Sequence, residues 1–315
     1  MLAATLLLPA RRRFPQGALP ARVAVALGRA VRASGVAGEA AQLQRHFSLQ
    51  PHSWPVAALT RQVDAGDANG GLWLRADPAN VLPDMQGVRL MAWAEGLTVE
   101  QADVNALLPA LQPVFADAGF RLDAPVPARW YVRLPDDAPL PAFTAPDAAL
   151  GDDLFAHLPE GENSRPWRAL LTEAQVLLHQ HPWNQQRLAR GRSAINSLWF
   201  WGGGRLPESV HTPHAQVRSH DALLRSLAML AGVSADAGGA QDIDMLVDLR
   251  QLRSLEQLGN DAIAPLLDAM ARGELGQLLL DFEDGACLRI DRGQQWRFWT
   301  REFWKKPALT LSEDG

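Results

Sequence analysis

Asn196-Ser197-Leu198-Trp199-Phe200-Trp201-Gly202-Gly203-Gly204-Arg205 runs two tryptophans and a phenylalanine into three consecutive glycines and an arginine. An apolar run without polar alternation reads as a strand buried on both faces. Glycines at its end let a backbone come close, or turn where side chains would clash. The arginine adds a planar cationic fork. Open α/β sheets hold ligands where a buried strand ends in such a turn. The stretch therefore marks where to look for a site.

The surrounding chain has 315 residues, enough for one large domain or two modest ones. Its net charge of -5 gives no reason to expect a nucleic-acid or membrane partner. Eleven tryptophans stand against one tyrosine, and most read as core and edge packing. The single cysteine, Cys287, excludes a disulfide within one chain and suits a reducing compartment. Met1 to Pro9 is apolar but short, and Arg11, Arg12 and Arg13 follow it, the reverse of a secretory signal. No apolar run reaches membrane-spanning length. The expectation is a cytoplasmic protein.

Outward from the Trp/Gly stretch, the pattern alternates strand and helix. Residues 2–8 read as a buried first strand, and the Ala-rich residues 21–45 as one or two helices. Short strands are expected at Leu72–Ala76 and Val88–Trp93. Between Thr98 and Ala118, Val104, Leu107, Leu108, Leu111, Val114 and Phe115 share one helical face. Thr98 with Gln101 reads as its capping box, and Gly119 as its end. Phe120–Leu122 and Arg129–Leu134 read as a strand pair. A second helix is expected from Ser164 to Pro182, with Ser164 as cap. Gln216–Arg218, Met245–Leu249, Leu278–Phe282 and Cys287–Ile290 read as strands, the last two joined by an Asp284-Gly285 turn. Helices are expected over His220–Ala231 and Ser254–Arg272, and the aromatic, basic segment Trp296–Trp304 is expected to pack back on the fold. This alternation predicts an α/β fold with a largely parallel central sheet and flanking helices. Residues 135–146 hold four prolines and resist both helix and sheet. They divide the chain into an N-terminal α/β half, 1–146, and a C-terminal α/β half, 147–315, unless the two form one continuous domain.

Charge is concentrated beside the glycines. Arg165, Arg168, Arg187, Arg190, Arg192 and Arg205 fall in a span with no lysine and only Glu173 against them. Arginine without lysine favours bidentate recognition of carboxylate or phosphate. One reading is a pocket for a small anionic or phosphorylated metabolite. It would be built from Asn196, Trp201, Gly202, Gly203, Gly204, Arg205, Arg165, Arg187, His179 and His181. The other is that these arginines are solvated or paired with the acidic stretch at 147–162. His179 and His181 stand two apart and cannot share a helix face, so one of the two reads as a helix C-terminal cap and the pair not as metal ligands. The glycines form neither a dinucleotide fingerprint nor a P-loop: the third spaced glycine is absent and no Gly-Lys-Ser/Thr follows. No catalytic residue is assigned.

The blocks Ser164-Arg165-Pro166-Trp167-Arg168, Glu173 to Pro182 and Asn196 to Gly204, with Trp73 to Pro78 and Arg129 to Leu134, resemble the RpfE-type regulatory proteins of proteobacteria. Members are often labelled cofactor-independent phosphoglycerate mutases, which are remotely similar to the alkaline-phosphatase-like superfamily. That resemblance implies a phosphoglycerate-mutase-like core in the C-terminal half. It also implies a metal-binding Asp beside a nucleophilic Ser, an Asp-x-x-x-His pair and a strand-end Asp-His pair. Here the first strand ends Leu8-Pro9-Ala10-Arg11, Leu252 stands four residues after Asp248, and Phe282 follows Asp281. The expectation is thus a non-catalytic regulatory or ligand-sensing protein with no cofactor. One alternative is a phosphoglycerate mutase or phosphatase-like enzyme with a divalent metal on Asp248, Asp281, His211 and His214. The other is a protein–protein adaptor using exposed tryptophans.

Overall fold

The computed structural model describes residues 2–14, 17–85, 87–234 and 244–293. The Trp296–Trp304 segment, expected to pack back on the fold, lies outside the described residues. The chain forms two compact units, Met1–Gln50 with Ser209–Gly315, and Pro51–Glu208. From the N-terminus the first unit contributes β1 (Ala3–Leu8), α1 (Ala21–Gly28), β2 (Val31–Ser34), α2 (Glu39–Gln44) and β3 (Ser48–Gln50). The second contributes α3 (Val56–Ala65), β4 (Leu72–Asp84), β5 (Gly87–Trp93), α4 (Gln101–Asp117), β6 (Arg121–Val126) and β7 (Arg129–Leu134). It continues with α5 (Pro146–Ala149), α6 (Ser164–Gln180), α7 (Pro182–Ala189) and β8 (Ser197–Gly204). The chain then re-enters the first unit as β9 (Ser209–His211), β10 (Gln216–Arg218), α8 (Ala222–Leu230) and β11 (Met245–Asp248). The last elements among the described residues are α9 (Leu255–Gln257), α10 (Ala264–Arg272), β12 (Gln277–Phe282) and β13 (Ala286–Asp291). The proline-rich stretch at 135–146 runs inside the second unit, because Leu140 and Phe143 anchor it to that unit's core.

The first unit is built on a six-stranded sheet ordered β10-β11-β1-β12-β13-β2. β10, β11, β1 and β12 are parallel, whereas β13 pairs antiparallel with both β12 and β2, so the sheet is mixed. The reversal comes from the Asp284-Gly285 turn, where Gly285 adopts φ +86°. β1 reads AATLLL, lies between two parallel partners and is buried from Ala4 to Leu8, which explains its largely apolar sequence. Its Ala4, Leu6 and Leu8 join Leu278, Leu280 and Phe282 against Val23 and Leu27 of α1 and Leu258, Ile263 and Met270. By the two-residue period of a strand, Thr5, Leu7, Asp248 and Asp281 face the other way. The helix expected over 254–272 is interrupted by a π-helical segment at Leu258–Ile263, just before Pro265, which has no N–H for a regular turn.

The second unit corrects the expectation of a parallel sheet around the Trp/Gly strand. Its five strands pair only antiparallel, with β8 against β4 and β4 also against β5 and β7. Both faces of β4 and β8 are covered, as the sequence implied. Leu72, Leu74, Ala76, Leu198 and Phe200 pack on Leu107, Leu111 and Phe115 of α4 and Trp167, Leu170 and Leu171 of α6. Trp73 of the opposite face packs with Ala57 and Ala58 of α3 and with Tyr131. The three glycines lie within β8 and not in a turn after it.

Candidate functional site: the carboxyl end of the parallel strands

Ligands of parallel α/β sheets meet the carboxyl ends of the strands, and in the first unit that edge holds the chemistry. Asp248 ends β11, and Asp281 is next to last in β12. Both pair with Leu7 of β1, so their backbones stand about 10 Å apart, two strand spacings.

Asp281 is buried and fully engaged. Arg45 donates to both its oxygens, Nε to Oδ2 at 2.9 Å and Nη2 to Oδ1 at 2.6 Å. His46 Nε2 donates to Oδ2 at 2.8 Å, the direction fixed because an ionised carboxylate only accepts. Arg45 and His46 immediately follow α2, which Gln42 pins to the sheet. Its Nε2 donates to the carbonyls of Leu8 (3.0 Å) and Asp281 (2.6 Å). Burial pushes the Asp281 carboxyl upward, but hydrogen bonds from Arg45 and His46 outweigh it and hold it below the usual range. With His46 protonated at Nε2, its Nδ1 accepts from His214 Nε2, 3.1 Å away. Burial, and then repulsion from His46, lower the pKa of His214 to about 4, against a weaker pull from Asp244. Cys287 pairs with Asp281 across the β12–β13 ladder. Burial and the Asp281 charge push its thiol up to about 11, the opposite of an activated nucleophile.

Asp248 is engaged in the same way. Arg250 donates Nε to Oδ1 at 2.8 Å and Nη2 to Oδ2 at 3.0 Å, and Ser219 Oγ donates to Oδ2 at 2.7 Å. Arg250 also pairs with Glu39 and, at 3.5 Å, with Asp221. Burial raises the Asp248 carboxyl, and the Arg250 hydrogen bonds and charge bring it below its ordinary value.

A divalent metal needs open oxygens at these carboxylates. Each oxygen instead accepts from a guanidinium, so the residues do not fit the metal that the resemblance implies. Among the described residues no group of three or more His, Cys, Asp or Glu is arranged to hold an ion. Of the four ligands named for the enzyme alternative, Asp281 and His214 are linked only through His46. His211 lies exposed on β9, its backbone paired with Ser48.

The residues expected to form an anion pocket all lie in the second unit, in separate surroundings. Arg187 is buried and spends its guanidinium on Asp103 (2.6 Å) and on the carbonyls of Leu97 (2.8 Å) and Ser193 (2.8 Å). Arg205 reaches the carbonyls of Gly70 (3.1 Å) and Asp136 (2.7 Å) and the Asp136 carboxylate (3.2 Å). Arg165 is exposed in the first turn of α6 and His179 exposed in its last. His181 closes α6, as expected of one of the two histidines, its N–H donating to the Leu178 carbonyl at 3.2 Å, and it also caps the N-terminus of α7, its Nδ1 accepting from Trp183 N–H at 3.2 Å. Asn196 acts as a surrogate peptide: its side chain both accepts from the N–H of Val81 (2.9 Å) and donates to its carbonyl (2.8 Å), beside the bulge in β4. Trp201 Nε1 donates to Asp77, which Arg75 also holds, at 2.8 and 2.9 Å. Gly202 and Gly204 face Val56 and Pro55 at the start of α3, and Gly203 faces Leu140 and Leu74.

Sequence reasoning passed over Arg45, His46 and Arg250. Arg45 and His46 close the Ala-rich stretch read as helix. Arg250, two residues after a strand-end aspartate, was the available signal.

No family model matches the chain. It is 24% identical over 184 residues to the "Probable 2,3-bisphosphoglycerate-independent phosphoglycerate mutase" of Geobacter sulfurreducens, covering 58% of this chain and 45% of the relative. It is 30% identical over 95 residues to the 2,3-bisphosphoglycerate-independent phosphoglycerate mutase of Methanothrix thermoacetophila, covering 30% of this chain and 24% of that one. The chain thus spans less than half the length of these relatives. Two solved structures are also similar. The cofactor-independent phosphoglycerate mutase of Thermoplasma acidophilum is 16% identical, with TM-score 0.38, over 93% of this chain and 90% of that one. The PH0037 protein of Pyrococcus horikoshii is 10% identical, with TM-score 0.45, over 91% and 87%. The sequence similarity to the mutases indicates that the chain has a phosphoglycerate-mutase-like fold.

Proposed function

We propose that the chain is a non-catalytic regulatory protein of the RpfE type, built on a phosphoglycerate-mutase-like fold and acting in the cytoplasm. The observation that carries this reading is the state of the two strand-end carboxylates. Asp248 and Asp281 each bind a guanidinium through both oxygens. Metal-assisted phosphoryl transfer needs a cation there to activate an attacking oxygen, and β1 is followed by Pro9 and Ala10, neither of which carries a nucleophile. A small anionic or phosphorylated metabolite is the proposed ligand. Of the arginines put forward for it, Arg165 stands exposed, whereas Arg187 and Arg205 are engaged within the protein.

The test is interconversion of 2- and 3-phosphoglycerate, and hydrolysis of p-nitrophenyl phosphate, with Mg²⁺, Mn²⁺ or Zn²⁺ present. The expected rate equals that of an Asp248→Asn/Asp281→Asn variant. Metal-dependent turnover that this variant loses would establish the mutase or phosphatase reading instead. For the ligand, a thermal-shift screen of phosphorylated and carboxylated metabolites is expected to give a stabilising anion whose effect weakens in Arg165→Ala.

A further inference from the structure

We propose that the β4–β5 hairpin is a docking arm for a basic amphipathic helix of a partner protein. The inference goes beyond the metabolite reading and does not depend on it. Five of the ten exposed large hydrophobic side chains among the described residues lie around this hairpin: Leu82, Met85, Met91, Leu150 and Phe155. Single exposed apolar residues need no explanation, whereas a group of them marks a surface that something covers. Leu82 stands opposite Arg89, and Met91 is the residue that the β-bulge leaves unpaired. Leu82 is 48% and Met91 49% exposed, and Met85 is wholly exposed. The other face of the hairpin is occupied, because Val81 and Leu90 pack on Ala149 and Leu154. Leu150 and Phe155 flank the arm, since Leu150 bridges to Leu90 of β5 and Asp153 to Arg89.

Charge and backbone select the occupant. The flanking segment supplies Asp147, Asp152, Asp153 and Glu160, with no lysine or arginine between 147 and 160. Within the hairpin, Asp84 and Arg89 neutralise each other at 2.6 Å. The rim is therefore acidic. It repels the same face of a second copy and an anionic lipid surface, and it attracts a basic partner. The strand edge is also closed to an added strand. Asn196 occupies both the N–H and the carbonyl of Val81. Two residues on, the same edge presents Pro83, which has no N–H to offer. Docking is then through side chains, and a helix with apolar anchors and flanking lysines fits it. Met85 and Met91 suit such a face, because unbranched thioether side chains adapt to the anchor they meet.

The probe is a fluorescein-labelled amphipathic helix of about 18 leucines and lysines, with a Leu/Glu counterpart of the same pattern. Each is titrated against the full chain by anisotropy. Saturable binding of the Leu/Lys helix alone is expected, weakened about tenfold or more by Met85→Ser/Met91→Ser. Asp147→Asn/Asp152→Asn/Glu160→Gln should weaken it about threefold and flatten its salt dependence. Val176→Ser, at an exposed position on α6, should leave it unchanged. Amide exchange on the unaltered protein should show the helix protecting the hairpin around Leu82 and Met91, a result that needs no variant. No saturable binding, equal binding of the Leu/Glu helix, or no effect of Met85→Ser/Met91→Ser overturns the proposal. Self-association, or adsorption to phosphatidylcholine/phosphatidylglycerol vesicles, that the same double variant abolishes also overturns it, since the face would then belong to a second copy or to a lipid surface.

Discussion

A Cβ built on Gly204 would lie 2.6 Å from the Cβ of Pro55, far inside van der Waals contact. Gly204 also adopts φ +150° and Gly202 φ +65°, where a side chain is strained regardless of space. The glycines therefore let the start of α3 press onto β8. Gly204→Ala and Gly202→Ala should each lower stability by roughly 2–3 kcal/mol, from overpacking combined with backbone strain. Gly203→Ala should cost less, because its backbone is not left-handed and its close neighbours are terminal methyl groups of Leu140 and Leu74. Urea denaturation checks the order, and equal effects at all three positions would refute the packing account.

The six arginines of the cluster should separate sharply on substitution. Arg187→Ala leaves a buried Asp103 without its cation and the carbonyls of Leu97 and Ser193 without their donor, so a loss of about 3–5 kcal/mol is expected. Arg205→Ala removes an exposed pair with Asp136 and should change stability by under about 1 kcal/mol. A cluster shaped for one ligand would instead lose binding at both positions with little change in folding.

This contrast shows which features the sequence made legible. β1, β11 and β12 are apolar runs, and α6 shows its Trp167, Leu170, Leu171 and Ala174 face at helical spacing. The direction of β8's partner was not legible, since a strand covered on both faces reads alike in parallel and antiparallel sheets. β2 was missed because its residues after Val31 are exposed on a strand paired only with β13. The cap of α4 is displaced from Thr98 to Glu100, because Glu100 and Asp103 satisfy each other's backbone N–H groups. Arg45 and Asp281 are 236 residues apart, a separation that no local pattern bridges.

His214 makes stability depend on pH with a definite sign. In the unfolded chain it titrates near 6.5, and in the folded protein near 4. Between these values the unfolded state holds the extra proton, so stability is full above pH 6.5 and declines as pH falls toward 4. The loss is at most about 3 kcal/mol by linkage. Asp248 and Asp281, both held low, add a further loss only in more acidic solution. Chemical denaturation across this range should show a slope that His214→Gln flattens. A slope unchanged in that variant would assign the effect elsewhere.

Tyr131 is the only tyrosine, so phenolate absorbance reports one site. Its hydroxyl donates to Asp64 Oδ2 at 2.5 Å, and Arg129 holds both oxygens of that carboxylate at 2.7 Å. Burial raises the phenol pKa above its ordinary 10.0, and the Asp64 charge adds to this, while nearby Arg75 opposes it. Ionisation would place a second negative charge against Asp64 inside the core. On raising the pH, the phenolate signal should therefore appear only together with the loss of tertiary circular dichroism. Tyr131→Phe should cost about 1 kcal/mol, since Arg129 still satisfies Asp64. A phenolate titrating near pH 10 while the protein stays folded would mean that the hydroxyl reaches solvent, contrary to this arrangement.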